Sequence, residues 1–136
     1  MGILGTIYGG NWKEETRTSM KEELNKELEA SKVAIAYANI VRTPLQKTRE
    51  DGSRYDLKNA DGTTAFANSI CLTLVSTVEK DEKGMPVAVG QSYLRLSRKS
   101  SLNPGDRIDP DTIEKIVVSK TGQGEREFYD AKKIED

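Results

Sequence analysis

Apolar residues recur at four-residue intervals near the start of the chain, and polar residues fill most of the positions between them. The residues on this spacing are Trp12, Met20, Leu24 and Leu28. Such a spacing is typical of a helix with one narrow apolar face, and the pattern from Asn11 to Glu14 is typical of a helix start. We expect the helix to pack on a sheet of the same chain. A contact with a second helix, from a partner or another copy, is the alternative.

Alternating apolar and polar positions predict strands in the rest of the chain. The segments with this alternation or with strand-forming residues are 32–41, 64–78, 87–99, 113–120 and 125–129. The first has apolar residues on both faces, which favours a central strand. The polar segment 79–86 contains Gly84 and Pro86, which suits a hairpin turn, and Gly90 is a candidate for a bulge.

These elements predict the fold class α+β, with an N-terminal helix packed on a curved, mainly antiparallel β-sheet or small barrel of about five strands. The length of 136 residues fits one domain, and no linker or repeat divides it. We therefore interpret residues 1–136 as a single domain. Residues 131–136 are expected to form a frayed tail.

The segment from Thr43 to Thr63 separates two strongly apolar stretches and shows no evident helix or strand pattern of its own. About twenty residues is long for a connection within a compact domain, and loops of this length are often binding elements or disordered. Within it, Asp51 and Gly52 predict a turn. We expect this long charged loop, 43–63, to be more mobile than the strands that flank it.

The composition narrows the possible chemistry. The sequence has no histidine and a single cysteine, Cys71, so nucleophile systems built on imidazole and an intramolecular disulfide are excluded. Clustered carboxylates at 106–111 and 79–82 lack the spacing of a calcium loop, and no pair of acids stands out for catalysis. We expect no enzyme, no cofactor and no metal site. The sequence contains no long apolar span, which predicts a cytoplasmic protein without a membrane contact.

Positive charge is concentrated in two segments, although the whole chain has a net charge of −1. Lys32 to Lys58 contains six cations and three anions, and Tyr93 to Lys99 contains three cations and no anion. Alternation along the second segment places Tyr93 and Arg95 on one face, while Leu94 and Leu96 pack on the other. The candidate partner-binding residues are Arg42, Lys47, Arg49, Arg54, Tyr55, Tyr93, Arg95 and Arg98.

Two functions fit cations mixed with tyrosines. The first expectation is a non-enzymatic binding or assembly protein that contacts a protein partner through the long basic loop, or associates with itself. The alternative is a single-stranded nucleic-acid-binding protein, in which cations contact phosphates and aromatic rings stack on bases. An acidic protein surface would attract the same cations, so the sequence leaves both open.

Overall fold

The computed structural model describes residues 13–120 and 124–135. Within these residues the chain forms one α-helix and eight strands. The helix α1 is Lys21–Ala30, and a single 3-10 turn spans Pro110–Thr112. The strands are β1 Lys13–Ser19, β2 Val33–Pro44, β3 Gln46–Thr48, β4 Arg54–Asp56, β5 Phe66–Lys80, β6 Pro86–Arg95, β7 Glu114–Lys120 and β8 Gly124–Asp130.

The strands form three antiparallel sheets, in the orders β1-β7-β8, β2-β5-β6 and β3-β4. A parallel bridge between Leu96 and Tyr129 connects the end of β6 to β8. The α+β prediction is therefore wrong. The described chain is mostly β, its three sheets stay separate without closing into a barrel, and the helix does not lie on a five-stranded sheet.

The helix starts later than the apolar spacing predicts, because residues 13–19 are a strand. Thr16 and Thr18 are β-branched and exposed, which favours an extended backbone. Thr18 pairs with Lys115 of β7, so a tertiary partner overrides the weak helical tendency of the segment. The first helical hydrogen bond joins the Leu24 N–H to the Met20 carbonyl at 2.8 Å. Trp12 and Asn11 lie outside the described residues.

The helix contacts the core through Met20 and Leu24, which are partly buried against it. None of the residues of α1 is fully buried. Two residues of the predicted apolar stripe thus contact the core of the same chain, although the helix does not lie on a five-stranded sheet. The helix thus packs at the edge of the core.

The core lies between the β2-β5-β6 sheet and the segment that runs from the end of β6 to β7. Its buried residues come from β2, from β5 and from that segment. They are Ala38, Ile40, Ile70, Leu72, Leu96, Leu102, Ile108 and Ile113. Most are branched aliphatic residues, in agreement with the low aromatic content of the chain.

Strand β2 is an outer strand and not the central strand that its two apolar faces predict. Its free edge is covered by the loop that contains Asp106 and Ile108, which we call the covering loop. The Ile40 N–H donates to the Asp106 carbonyl at 2.9 Å, and the Ile108 N–H donates to the Ala38 carbonyl at 3.1 Å. The covering loop explains why an edge strand can remain apolar on both faces. The central strand is β5, which pairs with β2 and β6.

Two predicted details of the β5–β6 hairpin are confirmed. The Asp81 N–H donates to the Met85 carbonyl at 2.8 Å and closes the turn. The pairing register shifts opposite Gly90, whose φ of 146° is readily reached only by glycine. Strands β7 and β8 are also confirmed and pair antiparallel. Residues 121–123, which connect them, lie outside the described residues.

Residues 131–135 follow β8 and lie along the covering loop. Lys133 bridges Ile108, the Ile134 N–H donates to the Arg107 carbonyl at 2.9 Å, and Lys133 forms an ion pair with Asp106 at 3.3 Å. These contacts would be lost if residues 131–135 frayed. No helix among the described residues is long and apolar enough to span a membrane.

Replacing a core residue of β5 tests this packing. Ile70 is 0% exposed, so Ile70→Ala is expected to lower the free energy of unfolding by about 2–5 kcal/mol through lost burial and the cavity left behind. Val78 lies on the same strand and is 65% exposed, so the matched change Val78→Ala is expected to cost about 0.5 kcal/mol or less. Urea denaturation of both variants measures the difference. Equal losses would contradict the assigned core.

Candidate functional site

The segment 43–63 contains regular structure that its sequence pattern did not reveal. Strands β3 and β4 form a two-stranded hairpin, and residues 57–65 fold back in a second turn. The Leu57 N–H donates to the Leu45 carbonyl at 2.8 Å, and the Ala65 N–H donates to the Leu57 carbonyl at 2.9 Å. We call residues 45–65 the double hairpin. Leu45 directly follows β2 and Ala65 directly precedes β5, so these bonds lie where the double hairpin leaves the sheet.

The two turns of the double hairpin have the same construction. In the first, the Arg49 N–H donates to the Ser53 carbonyl at 2.7 Å; in the second, the Asn59 N–H donates to the Thr63 carbonyl at 2.7 Å. Gly52 has a φ of 89° and Gly62 has a φ of 87°, values that favour glycine. The sequences DGS and DGT, ten positions apart, are the signal for this repeat.

An aspartate fixes each turn. Asp51 Oδ1 accepts hydrogen bonds from the Ser53 Oγ–H at 2.7 Å and the Ser53 N–H at 2.9 Å. Asp61 Oδ1 accepts from the Thr63 Oγ1–H at 2.6 Å and the Thr63 N–H at 3.0 Å. These bonds, first the hydroxyl and then the backbone, hold the pKa of both exposed carboxyls below the ordinary value. The negative charges are therefore engaged in shaping the turns.

The first turn presents cations and an aromatic ring on one face. Lys47 lies directly opposite Tyr55 in the register, and the Arg49 guanidinium lies 4.6 Å from the centroid of the Tyr55 ring. This is cation–π distance. Arg54 pairs with Thr48, the neighbouring position, so alternation places it on the other face. Lys47, Arg49 and Tyr55 thus share one face of this hairpin.

A cleft of about 460 Å³ lies where the double hairpin joins the β2-β5-β6 sheet. Leu45, Asn59 and Thr64 of the double hairpin contribute to its wall. The residues that give the cleft its chemistry are three cations and two aromatic rings: Arg42, Arg95, Arg98, Phe66 and Phe128. We call it the arginine cleft.

The arginines of this cleft are not neutralised within the described part of the chain. The ion pairs found there involve other residues, and none of the three contacts a carboxylate. The Arg42 guanidinium lies 4.1 Å from the centroid of the Phe66 ring. Phe66 is 43% exposed. The cleft therefore offers positive charge beside an accessible ring.

The outer face of the β2-β5-β6 sheet carries the remaining predicted residue. Tyr93 and Arg95 are exposed, while Leu94 and Leu96 pack on the core, as the alternation predicts. Tyr93 is 53% exposed, and its hydroxyl donates to Gln91 Oε1 at 2.7 Å. It pairs with Cys71 of β5, which is buried, so the side chain next to the ring on β5 is small.

A second tyrosine stands across the same face. Tyr37 of β2 pairs with Thr73 of β5, and Thr73 pairs with Gln91 of β6. Tyr93 is two residues from Gln91 on the same strand, so it shares a face with Tyr37. Tyr37 is 39% exposed, and the Arg107 guanidinium lies 4.7 Å from the centroid of its ring. The spacing between strands and the rise along a strand place the Cα atoms of Tyr37 and Tyr93 about 12 Å apart.

Sequence reasoning missed four residues of this surface. Phe66 and Tyr37 lie within alternating strand patterns that predict packing, and Phe128 and Arg107 lie outside the two basic segments. Phe66 is exposed because β5 extends beyond the core. Its position just after the polar segment 43–63 is the sequence feature that could have indicated this exposure. The contact between Arg107 and Tyr37 depends on the covering loop, which leaves no local pattern in the sequence.

The structure thus distributes the eight predicted residues over three adjoining places. Arg42, Arg95 and Arg98 meet in the arginine cleft, and Tyr93 lies two residues from Arg95 on the same strand. The other four lie on the double hairpin: Lys47, Arg49, Arg54 and Tyr55. The three places are connected because the cleft is lined by both the double hairpin and the end of β6.

The titratable groups with shifted pKa values lie elsewhere. Besides the two turn aspartates, the Asn103 N–H lowers the pKa of Asp106, and burial raises the pKa of Tyr129. None of the four lines the arginine cleft. Among the described residues no group of three or more acidic or thiol side chains could hold a metal ion. The cleft offers cations, rings and hydroxyls.

No family model, curated protein or solved structure matches this chain. Its function therefore has to be argued from its own residues.

The turn aspartates give a prediction about pH. Their pKa values in the folded protein are expected below the ordinary 3.8, so ionisation stabilises the turns above that pH. This stabilisation is lost as the pH falls through the lowered pKa. An NMR titration of the side-chain carboxyl carbons measures both values.

Two hydroxyl deletions are matched controls for this titration. Ser53→Ala is expected to raise the pKa of Asp51 and leave that of Asp61 unchanged, and Thr63→Ala is expected to do the reverse. Each variant removes one hydroxyl donor while retaining the backbone donor. Ordinary pKa values for both aspartates in the unaltered protein would show that the turns are not held by these bonds.

Proposed function

We propose that this protein binds single-stranded nucleic acid and catalyses no reaction. The observation that carries the proposal is the arginine cleft, whose lining includes Arg42, Arg95 and Arg98 together with two phenylalanine rings. Guanidinium groups bind phosphate through charge and paired hydrogen bonds. Aromatic rings stack on bases that are not already stacked in a duplex.

The surroundings of the cleft support a strand that continues beyond it. On one side, Lys47, Arg49 and Tyr55 form a cationic and aromatic face on the double hairpin. On the other side, Tyr93 and Tyr37 rise from the outer face of the sheet. A flexible single strand can follow such a bent path with phosphates near the cations, whereas a stiff duplex cannot.

The order of the strands is consistent with this use. Strands β2, β5 and β6 form a meander, and the end of β6 makes a parallel contact with β8. Oligonucleotide-binding folds with five strands in Greek-key order bind their ligand on strands two and three and on the loop between strands one and two. Counted from β2, these positions correspond to β5, β6 and the double hairpin. The likeness is one of strand order.

Local charge matters more here than the net charge of −1. Exposed charges farther apart than about 8–10 Å are screened at physiological salt, so a bound strand senses mainly the nearest side chains. The three arginines of the cleft have no carboxylate partner among the described residues. The acidic excess elsewhere would weaken long-range attraction, so we expect moderate affinity with a clear dependence on salt.

Contact with a protein partner, the first expectation from sequence, is the second candidate. Val78 and Met85 are 65% and 60% exposed near the tip of the β5–β6 hairpin, away from the cleft. Exposed apolar side chains are available for a protein contact. An acidic protein surface would also satisfy the arginines of the cleft. This candidate predicts no appreciable affinity for oligonucleotides, even at low salt.

Removing the charge of the cleft tests the proposal. The triple variant Arg42→Gln, Arg95→Gln, Arg98→Gln is expected to weaken binding of a fluorescent single-stranded oligonucleotide, measured by anisotropy over a range of salt concentrations. Each lost phosphate contact is expected to reduce the slope of log K against log salt by about 0.7. The matched control is Lys26→Gln, Lys80→Gln, Lys83→Gln, which removes the same charge from exposed sites outside the cleft.

The control triple is expected to leave the slope nearly unchanged. Equal effects of the two triples would mean that only the overall charge matters, and would contradict a site at the cleft. A competing duplex of the same sequence is expected to bind more weakly than the single strand.

Stacking can be separated from charge with the exposed tyrosines. Tyr93→Ala and Tyr55→Ala are each expected to weaken binding by about 1–3 kcal/mol with little change in the salt slope, because stacking releases no counterions. Tyr93→Phe is the matched control and is expected to bind almost normally, since it keeps the ring. If Tyr93→Phe were as weak as Tyr93→Ala, the hydroxyl and not the ring would be the binding group.

A further inference from the structure

Strand β6 has one edge without a strand partner in the part of the chain that the structure describes. It pairs with β5 along the other edge, and the next bridge is made by Leu96, just after its end. An open edge presents unpaired N–H and C=O groups that can pair with another chain. Natural proteins usually protect such edges with charged side chains, prolines or bulges.

The residues of β6 provide little of this protection. Residues 86–94, PVAVGQSYL, contain no charged side chain, although 32% of the whole chain is charged. Pro86 stands at the start of the strand, and the bulge opposite Gly90 leaves Val89 without a register partner. The stretch after the bulge, from Gln91 to Leu94, remains regular and uncharged. Tyr93 and Val89 are more than half exposed.

The outer strands of the two three-stranded sheets differ from β6 in charge or in cover. Strand β1 reads KEETRTS and β8 reads GEREFYD, so each carries several charges. The free edge of β2 is covered by the loop at Asp106 and Ile108. In a two-fold interface the same strand meets itself in opposite directions. Like charges placed opposite each other there are destabilising, and β6 avoids this.

The geometry points to a second copy of this chain as the partner of β6. The two β6 strands would pair antiparallel about a two-fold axis near Gln91, and the two β2-β5-β6 sheets would become one sheet of six strands. With this axis Arg95 lies opposite Val87 of the second copy, so no cation faces another. The proposal does not rest on nucleic-acid binding, because it uses only the edge and composition of β6.

Charge placed at the axis tests this interface. Analytical ultracentrifugation from about 1 µM to about 1 mM is expected to show the unaltered chain approaching twice its monomer mass. Gln91→Lys and Gln91→Glu are each expected to remain monomeric, since like charges would meet at the axis. An equimolar mixture of the two variants is expected to recover the doubled mass. Gln91 is exposed, so both variants are expected to fold, which circular dichroism verifies.

Thr16→Lys is the matched control, because it adds the same charge to an exposed position on β1, an outer strand of the other sheet. It is expected to dimerise like the unaltered chain. A chain that stays monomeric at every concentration would overturn the proposal. So would Gln91→Lys that still dimerises, or a mixture of the two Gln91 variants that gains no mass.

Discussion

Strand β5 is hydrogen-bonded along both edges, to β2 and to β6, and this double pairing is the constraint on which the rest of the molecule depends. Ile70 and Leu72 are buried on its inner face, and their burial sets the register of all three strands. A slip of one residue would move these side chains to the other face of β5 and bring Ser69 and Cys71 to the inner face. Ile108 of the covering loop, Leu24 of α1 and Ile113 pack in the same core.

The same register assembles the arginine cleft. Arg42 pairs with Asn68, and Arg95 pairs with Ser69, the next residue of β5. The two arginines therefore lie at neighbouring positions along the sheet and on opposite faces, and both line the cleft. Phe66 starts β5 at this end. Residues more than fifty positions apart in sequence converge because two outer strands share one central strand.

The parts of the fold that could be predicted are those with a local pattern. Strict alternation and β-branched residues identified β5 and the placement of Tyr93 and Arg95. The segment 13–19 was mistaken for helix because its strand state depends on pairing with β7, a non-local interaction. Strands β3 and β4 have three residues each, too few for a periodic signal. Phe66 was interpreted as core because an apolar pattern does not reveal where a strand leaves the core.

The double hairpin changes the physical argument for binding. A mobile basic arm would lose conformational entropy on contact with a ligand, at about 1–2 kcal/mol for each residue ordered. Here, backbone bonds close both turns, and Asp51 and Asp61 anchor them through side-chain bonds. Arg49 already lies on the Tyr55 ring, so part of the binding surface is arranged before the ligand arrives. Asp51 and Asp61 keep their negative charge, and the hydrogen bonds that their Oδ1 atoms accept fix the two turns of the double hairpin.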